Sequence, residues 1–182
     1  MVNGDAGMFV DTDVSCGKCG YNVRTLAVTA RCPECGFPVL RSYVSFHAGV
    51  RGFVAPDSAR LLRTTFLVLA RILRRNVDAV RFVFAAYQHA QRSVANDPGR
   101  YLADPEAHAA DLCRSVVDHA LEHYGSREDA MATFKFWRIE RSEDVGEIVA
   151  GLVEAGLMVP GKNDSPDDFV GHCDFITILS SR

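Results

Sequence analysis

The sequence predicts an α+β protein: a small metal-stabilised module, then a mainly helical domain that closes in a β-hairpin. Three observations carry that expectation. Four of the six cysteines crowd into residues 16–35. Between residues 58 and 155 apolar side chains recur at the three-and-four spacing of amphipathic helices. Strand-favouring residues gather in Leu157–Val159 and Phe175–Leu179, either side of a turn-rich stretch. At 182 residues, 48 % hydrophobic and 24 % charged, the chain has the composition of a globular protein with a core. A length a little above the usual domain size allows one domain plus a small module.

Residues 1–14 are polar and aperiodic, which predicts a flexible lead-in. The first fifteen residues have neither a basic start nor an apolar stretch and carry three aspartates, so they do not read as a signal peptide, and a cytoplasmic location is expected. In a reducing compartment closely spaced cysteines are metal ligands rather than disulfides, and Cys113 and Cys173, without a partner by spacing, read as free thiols. Residues 15–55 form the metal module and a connector, RSYVSFHAGVRGFVAP, whose loose alternation of Val and Phe with polar residues fits an added strand.

Residues 56–77 read as a basic linker helix. Asp57 is a fitting N-cap, and Leu62, Phe66, Leu69 and Leu73 recur on one face of a helix over about 58–75. Arg60, Arg63, Arg71, Arg74 and Arg81 fall in one sector of the opposite side, with Leu67 and Asp78 interrupting. The run FLVLA is far short of the about 20 apolar residues that span a bilayer, so no membrane role is expected.

Residues 78–182 form the mainly helical domain. A helix over about 78–95 carries Val80, Val83, Phe84 and Tyr87 on one face and stops at Asn96-Asp97-Pro98-Gly99. Asp104 and Pro105 open the next, which Gly125 closes. Ser126 with Asp129 resembles a capping box for a short helix to about Trp137, and Ser142 starts another to about Ala155. Helix, turn, helix and hairpin is the order of a winged helix, which the ending resembles.

The chemistry lies in Cys16-Gly-Lys-Cys19-Gly20 and Cys32-Pro-Glu-Cys35-Gly36, a C-x2-C-x12-C-x2-C pattern. Each pair supplies two thiolates from one tight turn, and the glycine after the second cysteine permits the backbone that turns amides toward sulfur. Two such turns complete a tetrahedron with no open position, so Cys16, Cys19, Cys32 and Cys35 are expected to hold a structural Zn2+ in a zinc ribbon. The knuckles CGKCGY and CPECG also resemble those of rubredoxins, and the twelve-residue gap resembles the rubredoxin-like module of rubrerythrins, so an iron electron-transfer protein is the alternative. Zinc is preferred because YNVRTLAVTAR lacks the aromatic cluster of a rubredoxin iron and no Glu-x-x-His accompanies it.

His119 and His123, four apart, share a helix face near Asp118 and Glu122, but no third ligand has evident spacing, and a solvated face is the simpler reading. His47, His89 and His108 stand alone. No nucleophile elbow, P-loop, dinucleotide fingerprint or HExxH occurs, so no active site, enzyme activity or small-molecule substrate is inferred.

From Asp78 to Phe175 the chain resembles an uncharacterised helical domain family of planctomycete and verrucomicrobial genomes, some members of which carry an N-terminal zinc ribbon. The resemblance rests on AVRFVFAAYQHA, on LEHYGSREDAMATFKFWRIERSEDVGEIVAGLVEAGLM and on NDSPDDFVGHCDF, and departs from the pattern at Val145 and Ala150. It implies no activity.

Charge is split: residues 1–81 carry a net +5 and residues 82–182 a net −8. Together with the cysteines this predicts a non-catalytic zinc-binding interaction or regulatory protein. Its macromolecular partner, a nucleic acid or an acidic protein surface, would meet Arg60, Arg63, Arg71 and Arg74. Equally open is a stripe that packs against the acidic half of the same chain.

Overall fold

The computed structural model describes residues 8–47, 59–96, 105–159 and 165–181. Outside them lie residues 1–7 of the expected lead-in, the proposed caps Asp57 and Asp104, the turn at 97–99 and the centre of the turn-rich excursion at 160–164. The described residues hold seven α-helices and no β-strand, which overturns the α+β expectation. The helices are α1 (Val39–His47), α2 (Ala59–Ile72), α3 (Val77–Asn96), α4 (Pro105–Tyr124), α5 (Arg127–Trp137), α6 (Ser142–Glu154) and α7 (Phe175–Ser180). A 3-10 turn at Pro166–Phe169 lies between the last two.

Two expected β features are replaced, each for a visible reason. The C-terminal stretch is α7 and not a hairpin strand. Asp174 caps it by accepting a hydrogen bond from Thr177 N–H at 2.8 Å, and the buried residues Phe175 and Leu179 are four apart, the helical period. Arg127 Nη1 then donates to the carbonyls of Ile178 and Ser181 at its C-terminus. Leu157 and Met158 form a bend and Val159 is in no strand, so no winged-helix hairpin is present among the described residues. Val39 and Leu40 at the end of the expected ribbon and Tyr43 and Val44 of the connector are all buried, again a helical pattern, so the start of the connector is part of α1 and not a strand, while its residues 48–56 lie outside the described ones. In the described part of the cysteine module the β-bridges Phe9–Ala27, Ser15–Asn22 and Arg31–Pro38 are isolated and do not extend into strands, so no ribbon sheet is present there.

Ser126 caps α5 and Gly125 ends α4 as expected, although the reciprocal arm of the expected capping box, from the Ser126 backbone N–H to Asp129, is replaced by a side-chain contact. Ser126 Oγ accepts from Asp129 N–H at 3.1 Å and donates to the Asp129 carboxylate at 2.8 Å. Gly125, at φ 71°, takes the left-handed conformation that ends α4. Between α2 and α3, Arg74 occupies that conformation at φ 52°, Arg75 N–H reaches back to Ala70 C=O, and the Asn76 side chain caps α3 through Asp78 N–H at 2.8 Å.

One continuous core runs through the chain. Val10, Val14, Val23 and Val28 of the cysteine module belong to the same cluster as Leu69 of α2, Val80 and Val83 of α3, Val116 of α4, Phe134 of α5 and Leu152 of α6. An aromatic knot packs the far end, with Phe82 against Trp137 at 5.3 Å and Phe134 edge-on to Phe175 at 5.7 Å between ring centroids. Two glycines let α6 approach its neighbours. A Cβ on Gly146 would lie 2.8 Å from Phe169 Cβ, and one on Gly151 would lie 3.2 Å from side-chain carbons of both Leu69 and Leu73. No helix among the described residues is long and apolar enough to cross a membrane.

Candidate metal centre and basic face

The two cysteine pairs fold into a matched pair of knuckles. Cys16 N–H donates to Tyr21 C=O at 2.7 Å and Gly20 N–H to Cys16 C=O at 2.9 Å; Cys32 N–H donates to Phe37 C=O and Gly36 N–H to Cys32 C=O, both at 2.8 Å. Gly20 at φ 79° and Gly36 at φ 71° take the backbone that the spacing required of them. The first knuckle is also held from α1, where Ser42 Oγ accepts from Gly17 N–H at 3.0 Å.

These turns bring the four Sγ atoms within 4.8 Å of one another. Cys16 Sγ lies 3.6 Å from Cys35 Sγ, and Cys19 Sγ 3.6 Å from Cys32 Sγ. That is far beyond the about 2.05 Å of a disulfide. It is close to the about 3.8 Å edge of a tetrahedron with metal–sulfur bonds of about 2.3 Å. The donor set fits a four-coordinate thiolate-binding ion and leaves no position for water or substrate. Cys16 and Cys32 are buried while Cys19 is exposed.

The thiols of the first pair are shifted in opposite directions. Burial pushes the Cys16 thiol up, but hydrogen bonds from the Cys19 and Lys18 amides and from the Cys35 and Cys19 thiols outweigh it and lower it to about 6. At Cys19 the amide of Tyr21 pulls down, yet burial and the other three thiols together push it up to about 12. A metal dication held by the four sulfurs offsets part of the charge of the crowded thiolates.

The expected basic residues divide in two. Arg63, Arg71 and Arg74 have exposed side chains, as does Leu67, which is 51 % exposed. Arg60 belongs to α2, but its side chain lies outside the described residues. At about 100° per residue, positions 60, 63, 67 and 71 span a sector of about 80° on one side of α2. Arg75, Arg31 and Arg41 make contacts between the basic and acidic halves. Arg75 Nη2 lies 2.7 Å from both Asp144 Oδ1 and Glu147 Oε2, and its Nη1 donates to Arg138 C=O. Arg31 pairs with Glu154 at 3.1 Å. Arg41 donates to the C-terminal carbonyls of α6, from Nε to Glu154 C=O at 3.0 Å and from Nη2 to Val153 C=O at 3.2 Å.

The acidic residues of α6 have partners within the chain. A cleft of about 480 Å3 between α2, α6 and the 3-10 turn has Leu69, Leu73 and Ala150 in its lining together with Glu143, Glu147 and Glu154. Glu143 accepts from Gly171 N–H, Glu147 from Arg75 and Glu154 from Arg31.

Two groupings join residues that the sequence reading leaves apart. His89 of α3 lies beside His119 and Glu122 of α4. Cys113 and Cys173 are hydrogen-bonded to each other, and burial followed by the Cys173 thiol pushes Cys113 well up, so it stays an inert thiol at neutral pH. The signal for the histidine grouping was the H-x-x-E at 119–122, legible only once α3 is known to lie against α4.

No family model, no curated protein and no solved structure matches the chain.

Proposed function

We propose that this chain is a non-catalytic interaction protein in which a structural Zn2+, held by Cys16, Cys19, Cys32 and Cys35, secures a module packed beside a basic helix. That helix contacts a polyanionic partner through Arg60, Arg63, Arg71 and Arg74. The observation that carries the reading is the exposed row Arg63, Leu67, Arg71 on one side of α2, which stays on the surface while Arg31, Arg41 and Arg75 are engaged within the chain. Arginine forks at this spacing suit phosphates along a nucleic-acid backbone, with little reading of base edges. Such a contact is weakly sequence-dependent and salt-sensitive.

Fluorescence anisotropy of the metal-loaded full chain with labelled duplex and single-stranded oligonucleotides tests this. Three to four phosphate contacts give a slope of about −3 in log K against log salt. The paired reversal Arg63→Glu and Arg71→Glu is expected to abolish binding while leaving metal content at one ion per chain. Nucleic-acid binding that the reversals do not weaken would refute the assignment to α2. An absence of oligonucleotide binding at low salt, with salt-sensitive binding to an acidic polypeptide instead, would make the partner an acidic protein surface. Elemental analysis is expected to give zinc; iron with the visible colour of a ferric thiolate site would replace this reading with electron transfer.

A further inference from the structure

α3 and α4 pack side by side, and the face between them carries an imidazole from one helix and an imidazole and a carboxylate from the other. His89 stands on α3; His119 and Glu122 stand three apart on α4, one turn above the other on the same side. One donor atom from each of the three, two ring nitrogens and one carboxylate oxygen, lies within 4.8 Å of the others. His89 Nδ1 is 3.6 Å from Glu122 Oε2, and the rings of His89 and His119 meet edge to face at 5.9 Å between centroids. His119 is further placed by Phe82, whose ring centre is 4.9 Å away, and His123 stacks on it at 6.1 Å.

A simple ion pair uses one imidazole. Here two imidazoles converge on one carboxylate, and the His89–Glu122 separation is longer than the about 3.2 Å limit of a good hydrogen bond. Three donors around a first-row dication at about 2.0–2.1 Å stand about 3.4 Å apart, so small side-chain rotations close the triangle. Both histidines are partly buried, and the Glu122 side chain is 66 % exposed, which leaves the solvent side open.

We propose that His89, His119 and Glu122 form a second metal site, separate from the four cysteines. It takes a Zn2+-type transition-metal dication with three protein ligands and water in the remaining position. The donor set is harder than four thiolates, so the two sites differ in the spectra of a bound reporter ion. Each ligand comes from a well-packed helix pair, so the site is largely formed before the ion arrives.

The test uses the untagged full chain with the cysteine site already filled by zinc. Co2+ is titrated in and followed by visible absorption, with bound metal counted after equilibrium dialysis. The expected result is a second equivalent of metal per chain, with weak d–d bands and none of the strong near-ultraviolet thiolate-to-cobalt absorption. His89→Gln and Glu122→Gln are each expected to weaken that equivalent at least tenfold, and His172→Gln, at an exposed residue elsewhere, to leave it unchanged. Glu122→Gln alters an exposed side chain, so circular dichroism should show the fold intact and the loss is then a ligand effect. A chain that binds no second equivalent would overturn the proposal. So would a second equivalent that survives the combined His89→Gln and Glu122→Gln change, or one that carries the thiolate absorption.

Discussion

Replacing Arg75 by alanine is expected to destabilise the fold by about 2–3 kcal/mol. The residue sits just past the left-handed turn that ends α2, with its side chain 13 % exposed, and its guanidinium reaches Asp144, Glu147 and Arg138 C=O together. The contacts are unequal. Asp144 is 24 % exposed, and a charge-assisted hydrogen bond to such a group contributes about 1.5–3 kcal/mol. Glu147 is 59 % exposed, and its ion pair, screened by solvent, contributes about 0.5 kcal/mol. Removal of Arg75 does not orphan Asp144, whose Oδ2 still accepts from Glu140 and Arg141 N–H, both at 2.9 Å, and this keeps the total below the about 3–5 kcal/mol of a fully buried broken pair. For a chain of this length the loss lowers Tm by about 5–10 °C. Urea unfolding of Arg75→Ala, Asp144→Asn and the double variant measures the coupling directly, expected at about 1.5 kcal/mol or more, whereas the same cycle with Glu147→Gln should give about 0.5 kcal/mol. An Arg75→Ala variant within about 0.5 kcal/mol of the parent, or a larger coupling to Glu147 than to Asp144, would refute the reasoning.

Cys32→Ser is expected to lose the bound ion, because a serine hydroxyl is a far weaker ligand than a thiolate at neutral pH; full occupancy by elemental analysis would remove Cys32 from the site. Because the module shares the core cluster with α2 and α6, chelation should also lower the Tm of the helices, read by far-ultraviolet circular dichroism, and an unchanged helical Tm would show the two to be energetically separate. Gly146→Ala gains about 1 kcal/mol of helix propensity but places a methyl 2.8 Å from Phe169 Cβ, so denaturant titration should show a net loss of about 1–2 kcal/mol; a more stable variant would mean that the 3-10 turn moves freely.

Local signals were legible where they act within one turn of chain. Gly125 and Ser126 end and start helices where their positions demand, and the two cysteine knuckles follow from C-x2-C-G alone. The errors lie in short apolar runs, where strand and helix share composition and only tertiary burial decides. Phe175–Leu179 is rich in β-branched residues, yet Asp174 caps it as a helix and α5 takes its Phe175 and Leu179 side. The connector from Arg41 alternates loosely, but its described start belongs to a helix whose buried face is held down on the first knuckle by Ser42. Arg75 and His89 were invisible for a different reason. Their roles depend on partners 69 and 30 or more residues away, which no periodicity reports.

The split of charge between the two halves has its structural use at α6. An arginine from the α2–α3 joint meets the Asp144 carboxylate at the N-terminus of α6, and Arg41 of α1 meets its C-terminal carbonyls. The macrodipole favours both placements, a carboxylate at the first turn and a cation at the last. Gly156 makes room for the second: at φ 79° it turns the chain away, and a Cβ there would stand 3.0 Å from Arg41 Cζ. Arg41 belongs to α1, and Ser42 of the same helix holds the knuckle that positions Cys16 and Cys19, so the four-sulfur site and the end of α6 are joined through one short helix. The arginines that do this work are hydrogen-bonded within the chain, while Arg63 and Arg71, which share the same half, stand exposed on α2. Internal charge pairing therefore accounts for Arg31, Arg41 and Arg75, and it ties the basic half to both ends of α6.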